Sequence, residues 1–212
     1  MEIGIIGSGV VGQQLGFGLL KLGHEVKIGT RNPQKLDEWL KTAGKGASVG
    51  SFLEAAQFGS VIILATLWEG SADAIGLAGP EHFSGKIVLD VTNPLDFSKG
   101  APPRLDSAPG KSGAERIHEH IPNAKLAKAF NHISAHIMIS PAREEGVPDL
   151  FVAGDPEAKA FATEIALAWG WNSVIDMGDL SQAYLLEAYA MLWIQYAFNT
   201  GTWVHAFKFL RK

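Results

Sequence analysis

Short apolar runs alternate with helix-length stretches through the first half of the chain. Residues 3–6 form an apolar run closed by Gly7, and residues 10–22 follow with Leu15, Leu19 and Leu22 at helical spacing. Residues 25–29 read as a second strand. Residues 33–41 read as a helix, with Asn32 as N-cap and Pro33 at the first helical position. Residues 61–65 carry the unbroken apolar signature of a buried strand, and a helical stretch follows around 71–77. Residues 87–91, 125–130, 150–153 and 173–175 are the remaining predicted strands. Strands separated by helices of this length pair in parallel through right-handed crossovers. The pattern predicts an α/β protein built on a doubly wound, mostly parallel sheet.

Two stretches break the alternation. Half of the residues in 96–113 are Gly, Pro or Ser, which predicts a long loop acting as a lid or mobile flap. Residues 180–210 hold almost no helix breaker before Gly201 and are apolar on most faces. A helix apolar all round is buried on all sides, and in so small a chain a partner subunit is the expected cover. The expected division is therefore a dinucleotide-binding unit over 1–178 and apolar C-terminal helices over 179–212, which close the core and form a homodimer.

Composition narrows the function classes. With 212 residues, 47% hydrophobic and 19% charged, the chain can build a full core. A net charge of −4 supplies no field for phosphate backbones, so nucleic acid is not an expected partner. The absence of cysteine removes disulfides, thiolate metal sites and a cysteine nucleophile. No leader or membrane-spanning segment is legible, and a cytoplasmic, soluble protein is expected. His118 and His120, with Glu115 and Glu119, invite a metal reading. Residues two apart face different sides of a helix, so no metal site is expected.

The sharpest signal is Gly7-Ser8-Gly9-Val10-Val11-Gly12, which follows a strand and opens a helix. That context is what a Rossmann-type dinucleotide fingerprint requires. Gly7 permits the tight turn, Gly9 lets backbone approach a pyrophosphate, and Gly12 lets helix pack on strand. The helix N-terminus offers free N–H groups to the phosphates. The end of the second strand then discriminates between cofactors. An enzyme for NAD places a carboxylate there for the ribose 2′-hydroxyl. Here the residues are Thr30, Arg31 and Asn32, with Lys35 one turn later. A guanidinium and an ammonium suit a 2′-phosphate, so NADP(H) is the expected cofactor.

The ordered set of motifs resembles the coenzyme F420-dependent NADP oxidoreductases over nearly the whole chain. The set comprises the fingerprint, Leu22-Gly23-His24-Glu25-Val26, Gly29-Thr30-Arg31 and Ala65-Thr66-Leu67-Trp68-Glu69. It continues with Asp90-Val91-Thr92-Asn93-Pro94-Leu95, Lys128-Ala129-Phe130-Asn131, Gly154-Asp155 and Asp176-Met177-Gly178-Asp179-Leu180. A similar domain forms the reductase part of six-transmembrane metalloreductases. The resemblance implies direct hydride transfer between NADPH and a deazaflavin in a homodimer. It implies that Ser8, Gly9, Val10 and Val11 hold the pyrophosphate, and that Thr30, Arg31 and Lys35 hold the 2′-phosphate. Ala65, Thr66, Leu67 and Ala135 would border the nicotinamide. One departure is that Asn131 stands where deazaflavin-using members carry a histidine, which leaves coenzyme F420, a flavin or a related flat compound open as acceptor.

In open α/β sheets ligands lie beyond the carboxyl ends of the strands. That places Thr66-Leu67-Trp68, Thr92-Asn93-Pro94 and Asn131-His132 at the candidate reaction centre. Trp68 and Pro94 are candidate platforms for a flat acceptor, and Asn93 and Asn131 candidate hydrogen-bonding groups. His132 reads either as a proton donor accompanying hydride transfer or as a hydrogen-bonded structural residue. Trp68 reads equally as a core cap, and Thr92-Asn93-Pro94 as an ordinary turn. A second function, from a different class, is an NADP(H)-binding sensor without turnover.

Overall fold

The computed structural model describes residues 1–210; Arg211 and Lys212, at the end of the expected C-terminal segment, lie outside the described residues. Among the described residues there are ten strands, β1 (Glu2–Ile6), β2 (Glu25–Gly29), β3 (Ala47–Gly50), β4 (Val61–Leu64), β5 (Ile87–Asp90), β6 (Leu95–Asp96), β7 (Arg104–Leu105), β8 (Lys125–Lys128), β9 (Asp149–Gly154) and β10 (Ser173–Asp176). Seven α-helices accompany them: α1 (Val10–Lys21), α2 (Asp37–Ala43), α3 (Phe52–Phe58), α4 (Ser71–Ala78), α5 (Gly113–His120), α6 (Pro156–Ala168) and α7 (Ala183–Thr200).

Eight strands form one sheet in the order β10-β9-β8-β5-β4-β1-β2-β3. The six strands from β3 to β8 run parallel; β9 pairs antiparallel to β8, and β10 parallel to β9. The chain order reverses between β1 and β4, so the connections leaving these paired strand ends diverge to opposite faces of the sheet and leave a crevice.

The two faces of the sheet can be read from the period-two alternation of the central strands. Ile3, Ile5, Val61, Ile63, Leu89 and Ala127 share a core with Leu15 and Leu19 of α1, Trp39 of α2 and Phe161 and Ile165 of α6. Ile6, Ile62, Leu64, Val88 and Leu126 meet Phe52 and Ala55 of α3, Ala74 and Ile75 of α4 and Ile117 of α5. A strand covered on both faces has no solvent side to mark with polar residues, so its sequence is a continuous apolar run.

The structure corrects several sequence-based expectations. β3 and α3 were not expected. β3 is an edge strand, half-buried and without a strong apolar run. α3 is announced by a capping box, in which Ser51 Oγ accepts from the Glu54 N–H and the Ser51 N–H donates to Glu54 Oε2 at 2.7 Å. The 33–41 helix is a 3-10 turn, Pro33–Leu36, running into α2. Asn32 occupies the cap position, but its side chain makes no capping bond.

The 96–113 segment is tied down rather than free at its base. β6 and β7 pair antiparallel, and the Asp106 N–H donates to the Pro94 carbonyl at 2.8 Å. The apolar C-terminal stretch forms one helix, not several. Gly201 ends α7 in the left-handed region, at φ +73°, and the chain turns back without regular secondary structure. Trp193 Nε1 donates to the His205 carbonyl at 2.7 Å, and the Phe209 N–H donates to Asp149 Oδ2 at 2.7 Å. Nor is α7 covered on all sides within one chain: Leu192 is 62% exposed and Tyr196 50%. Among the described residues no helix is long and apolar enough to cross a membrane.

Candidate functional site

The strand-to-helix turn after β1 is shaped by glycines with different physical demands. Gly7 has φ +126°, and a Cβ there would lie 2.4 Å from the Ala65 carbonyl oxygen. A Cβ at Gly12 would lie 2.2 Å from the Gly7 carbonyl oxygen. Gly9 differs: a Cβ on it would meet nothing within 4 Å. The protein's own packing therefore does not require glycine at position 9. The space beside it fits a pyrophosphate lying against the backbone at the start of α1, whose first-turn N–H groups have no acceptor within the helix.

A cleft of about 610 Å³ opens over this turn. Its lining includes Gly7, Ser8, Gly9, Val10 and Val11 from the turn; Thr30, Arg31, Asn32 and Lys35 from beyond β2; and Ala65, Thr66 and Leu67 from beyond β4. Phe52, Glu69, Asp73, Leu77 and Val91, none of them expected from sequence, also line it. Phe52 comes from α3, Glu69 from the turn before α4, Asp73 and Leu77 from α4, and Val91 from just after β5, brought in by the crossover geometry; Glu69 and Val91 fall within motifs of the family resemblance, but neither had an expected role there.

Thr30 is buried and fixed. Its Oγ1 lies 2.9 Å from Ser8 Oγ and accepts from the Asn32 N–H at 3.2 Å. Arg31 and Lys35 are exposed at the cleft mouth with no ion-pair partner among the described residues, a pair of cations that could meet a phosphate. At the opposite rim Leu67 is 86% exposed, and Val10 is 57% exposed on the near side. Large apolar side chains exposed beside a cleft mark a ligand surface. Thr66 is pinned by a 2.7 Å contact between its Oγ1 and Ser71 Oγ.

The remaining candidates lie outside this cleft lining. Asn93 and Asn131 join across the ends of β5 and β8: Asn93 Nδ2 donates to the Asn131 carbonyl at 2.7 Å, and Asn131 Nδ2 donates to Asn93 Oδ1 at 2.9 Å. Asn131 Nδ2 also donates to the Leu186 carbonyl of α7 at 3.0 Å. Phe130 just before it has φ +58°, a costly conformation for a bulky residue, and this turns the chain so that Asn131 faces Asn93.

His132 is buried with both ring nitrogens engaged. Nε2 accepts from the Phe151 N–H at 3.3 Å, so Nδ1 carries the proton toward Asn131 Oδ1, also at 3.3 Å. Burial pushes its pKa down to about 3, against an upward pull from the Asp149 backbone. Such a ring carries no second proton at neutral pH, and this geometry places His132 as a structural residue rather than a proton donor.

Two expected platforms are also otherwise engaged. Pro94 is buried, and a Cβ on Gly113 at the start of α5 would come within 3.1 Å of its ring. Trp68 carries the Arg116 guanidinium over its ring, 4.5 Å from the centroid, while Arg116 Nη1 donates to Asp106 Oδ2 at 2.8 Å. Ala135 is half-buried in the turn after His132, away from the cleft lining.

A cluster of buried charges went unassigned from sequence. Lys128 Nζ lies 2.6 Å from Asp90 Oδ2 and 2.9 Å from Glu187 Oε1, with all three side chains fully buried. Burial alone would lower the Lys128 pKa; Asp90 and Glu187 outweigh it and hold the ammonium above its ordinary value. Burial would raise the Glu187 pKa, but Lys128, the Ser107 hydroxyl and the Gly113 N–H hold it below the usual range. Lys128 is 38 positions from Asp90 and 59 from Glu187; the local hint was charge at the ends of the buried strands β5 and β8 and within the apolar run of α7.

Known proteins resemble this chain in sequence and fold. Residues 2–94 match the family model described as NADP oxidoreductase, coenzyme F420-dependent. The chain is 30% identical over 208 residues to the F420-dependent NADP reductase of Methanocaldococcus jannaschii, covering 92% of this chain and 91% of that one. The chain belongs to the F420-dependent NADP oxidoreductase family. A solved structure from Arthrobacter sp. FB24, described as a candidate F420-dependent NADP reductase, superposes on it with a TM-score of 0.93 at 35% identity, over the full length of both chains. The chain is also 33% identical over 191 residues to the rat metalloreductase STEAP3, but spans only 36% of that protein's length. A Streptomyces aurantiacus imine reductase, 18% identical with a TM-score of 0.68, shares the fold alone.

The buried ring of His132 sets a pH dependence. With a native pKa of about 3 against 6.5 for the free side chain, the unfolded chain takes up a proton first as pH falls. Stability from this group is complete above pH 6.5 and is lost between 6.5 and 3, at about 1.4 kcal/mol per pH unit. Urea unfolding at pH 6.5 and pH 5 should show roughly 2 kcal/mol lost from this source. That component should vanish in His132→Gln. Equal pH slopes for both proteins would show that the ring titrates normally in the folded state.

Proposed function

We propose that this protein transfers a hydride between NADP(H) and a flat redox acceptor, coenzyme F420 or a flavin. The observation that carries the cofactor half is the end of β2. There Thr30, Arg31 and Lys35 meet at the cleft mouth and no carboxylate follows the strand. When bound, NADPH supplies the hydride itself, so the chain needs neither a nucleophile nor an acid at the reacting carbon. Its residues bind and orient. Gly9 and the start of α1 take the pyrophosphate, and Arg31 and Lys35 take the 2′-phosphate. Val91 and Leu67 flank the opposite end, where the nicotinamide would sit, and Leu67 and Val10 are the apolar surface that excludes water when a ring closes over them. The apolar rim supports a planar acceptor, and the family likeness supports F420 as the first to try.

Arg31→Ala should weaken NADPH binding by roughly 1.5–3 kcal/mol through loss of charge-assisted bonds, while NADH binding barely moves. Equal losses for both cofactors would remove the 2′-phosphate assignment. Anaerobic NADPH oxidation with F420 and with FMN then separates the acceptors. Turnover with F420 alone supports the family activity with Asn131 in place. Tight NADPH binding with no turnover on F420, FMN, quinones or metal chelates would replace the enzyme reading by that of a sensor.

We further propose that α7 pairs with α7 of a second copy. Its exposed face carries Leu185, Leu192 and Tyr196, with Trp203 beside it. The double variant Leu192→Glu with Tyr196→Glu should halve the mass seen by light scattering. A wild-type protein already monomeric would refute the pairing.

A further inference from the structure

Asp90, Lys128 and Glu187 are charged and fully buried, and hydride transfer uses none of them. A buried ion pair is a poor source of net stability, since well-packed apolar residues serve as well or better. What the cluster fixes is more informative than what it stabilises: Asp90 and Lys128 hold Thr92, and Glu187 holds the start of α5, which packs on Pro94. Lys128 Nζ donates to the Thr92 carbonyl at 2.8 Å. Asp90 Oδ1 accepts from the Thr92 N–H at 2.8 Å and from Thr92 Oγ1 at 2.7 Å. Glu187 accepts from Ser107 Oγ at 2.5 Å, from the Gly113 N–H at 3.0 Å and from the Ala114 N–H at 3.2 Å. Gly113 in turn lies against Pro94.

The position of this segment follows from the cleft. The 2′-phosphate end lies beyond β2 and the pyrophosphate turn beyond β1, so the far end lies beyond β4 and β5. Val91 lines that end, and Thr92 and Asn93 continue from it. We propose that Lys128 and Glu187 are positioning residues: Lys128 through Thr92, and Glu187 through Lys128 and through Gly113 against Pro94, hold the 91–94 segment and the Asn93–Asn131 pair in the one conformation that receives the nicotinamide ring. The proposal rests on the dinucleotide reading of the cleft. It also links α7, which carries Glu187, to the ring end of the site, so a shift of that helix reaches the nicotinamide before it reaches the phosphates.

The test uses two ligands differing only in the nicotinamide: NADP⁺ and 2′-phospho-ADP-ribose. Calorimetric titration of wild-type protein should show NADP⁺ binding the more tightly. Glu187→Gln keeps the shape and leaves Lys128 paired with Asp90. It should weaken NADP⁺ at least about fivefold while leaving 2′-phospho-ADP-ribose within about twofold, because only the ring loses its place. Thr92→Val keeps side-chain shape, removes one arm of the cluster and carries less risk of unfolding; it should shift the same ratio in the same direction by less. Loss of both affinities together, or of neither, in variants that melt cooperatively would overturn the proposal. Wild-type protein binding both ligands equally would also overturn it while leaving the dinucleotide reading intact. Binding of neither ligand would remove that reading and the proposal with it.

Discussion

The close approach of α1 to β1 and β4 governs the rest of this molecule. A carbonyl oxygen stands little more than 2 Å from where a Cβ would sit on Gly7 or Gly12, well inside van der Waals contact. A side chain at Gly12 would force the helix away from the end of β1, and one at Gly7 would drive the turn off the backbone that follows β4. That closeness aims the first turn of α1 across the crevice where the strand order reverses, and the crevice becomes a cleft instead of a packed seam. Gly9 completes the arrangement by leaving open space where neither strand nor helix needs it. The steric demand thus falls on Gly7 and Gly12 and not on Gly9, within one six-residue motif.

A second layer of organisation is electrostatic and sits behind the cleft. One ammonium and two carboxylates share a fully buried volume at the carboxyl ends of β5 and β8. Their remaining hydrogen-bonding capacity goes to backbone and hydroxyl groups of the surrounding loops. Removing one partner would strand charge in a low-dielectric interior, at a cost of roughly 3–5 kcal/mol. The geometry is therefore tightly specified even though the pairs add little net stability. Phe130, held at positive φ against Trp169 and Trp171, is consistent with a strand end whose conformation is over-determined by its surroundings.

Much of the scaffold was legible in the sequence because strands covered on both faces must be apolar throughout. Residues 61–65 and 87–91 therefore announced β4 and β5, and the fingerprint located the turn over which the cleft opens. β3 was missed because an edge strand is half-solvated and Ala-Ser-Val-Gly carries little pattern. The tethering of 96–113 was illegible because its partners, Pro94 and Glu187, come from elsewhere in the chain. The apolar run near the C-terminus correctly signalled a helix but not its end, which a left-handed Gly201 sets. Side-chain roles were harder still. His132, Pro94 and Trp68 were placed correctly at strand ends, yet the structure gives each a packing or hydrogen-bonding task that sequence position alone does not reveal.

An NADP(H) site in the cleft over residues 7–12, running from the 2′-phosphate at β2 to the nicotinamide at β5, would be seen directly in a crystal structure of the protein with NADP⁺. The 2′-phosphate is expected against Thr30, Arg31 and Lys35, the pyrophosphate over Gly9, and the nicotinamide beside Val91 and Asn93. A dinucleotide bound in the reverse sense, or bound outside this cleft, would contradict this assignment.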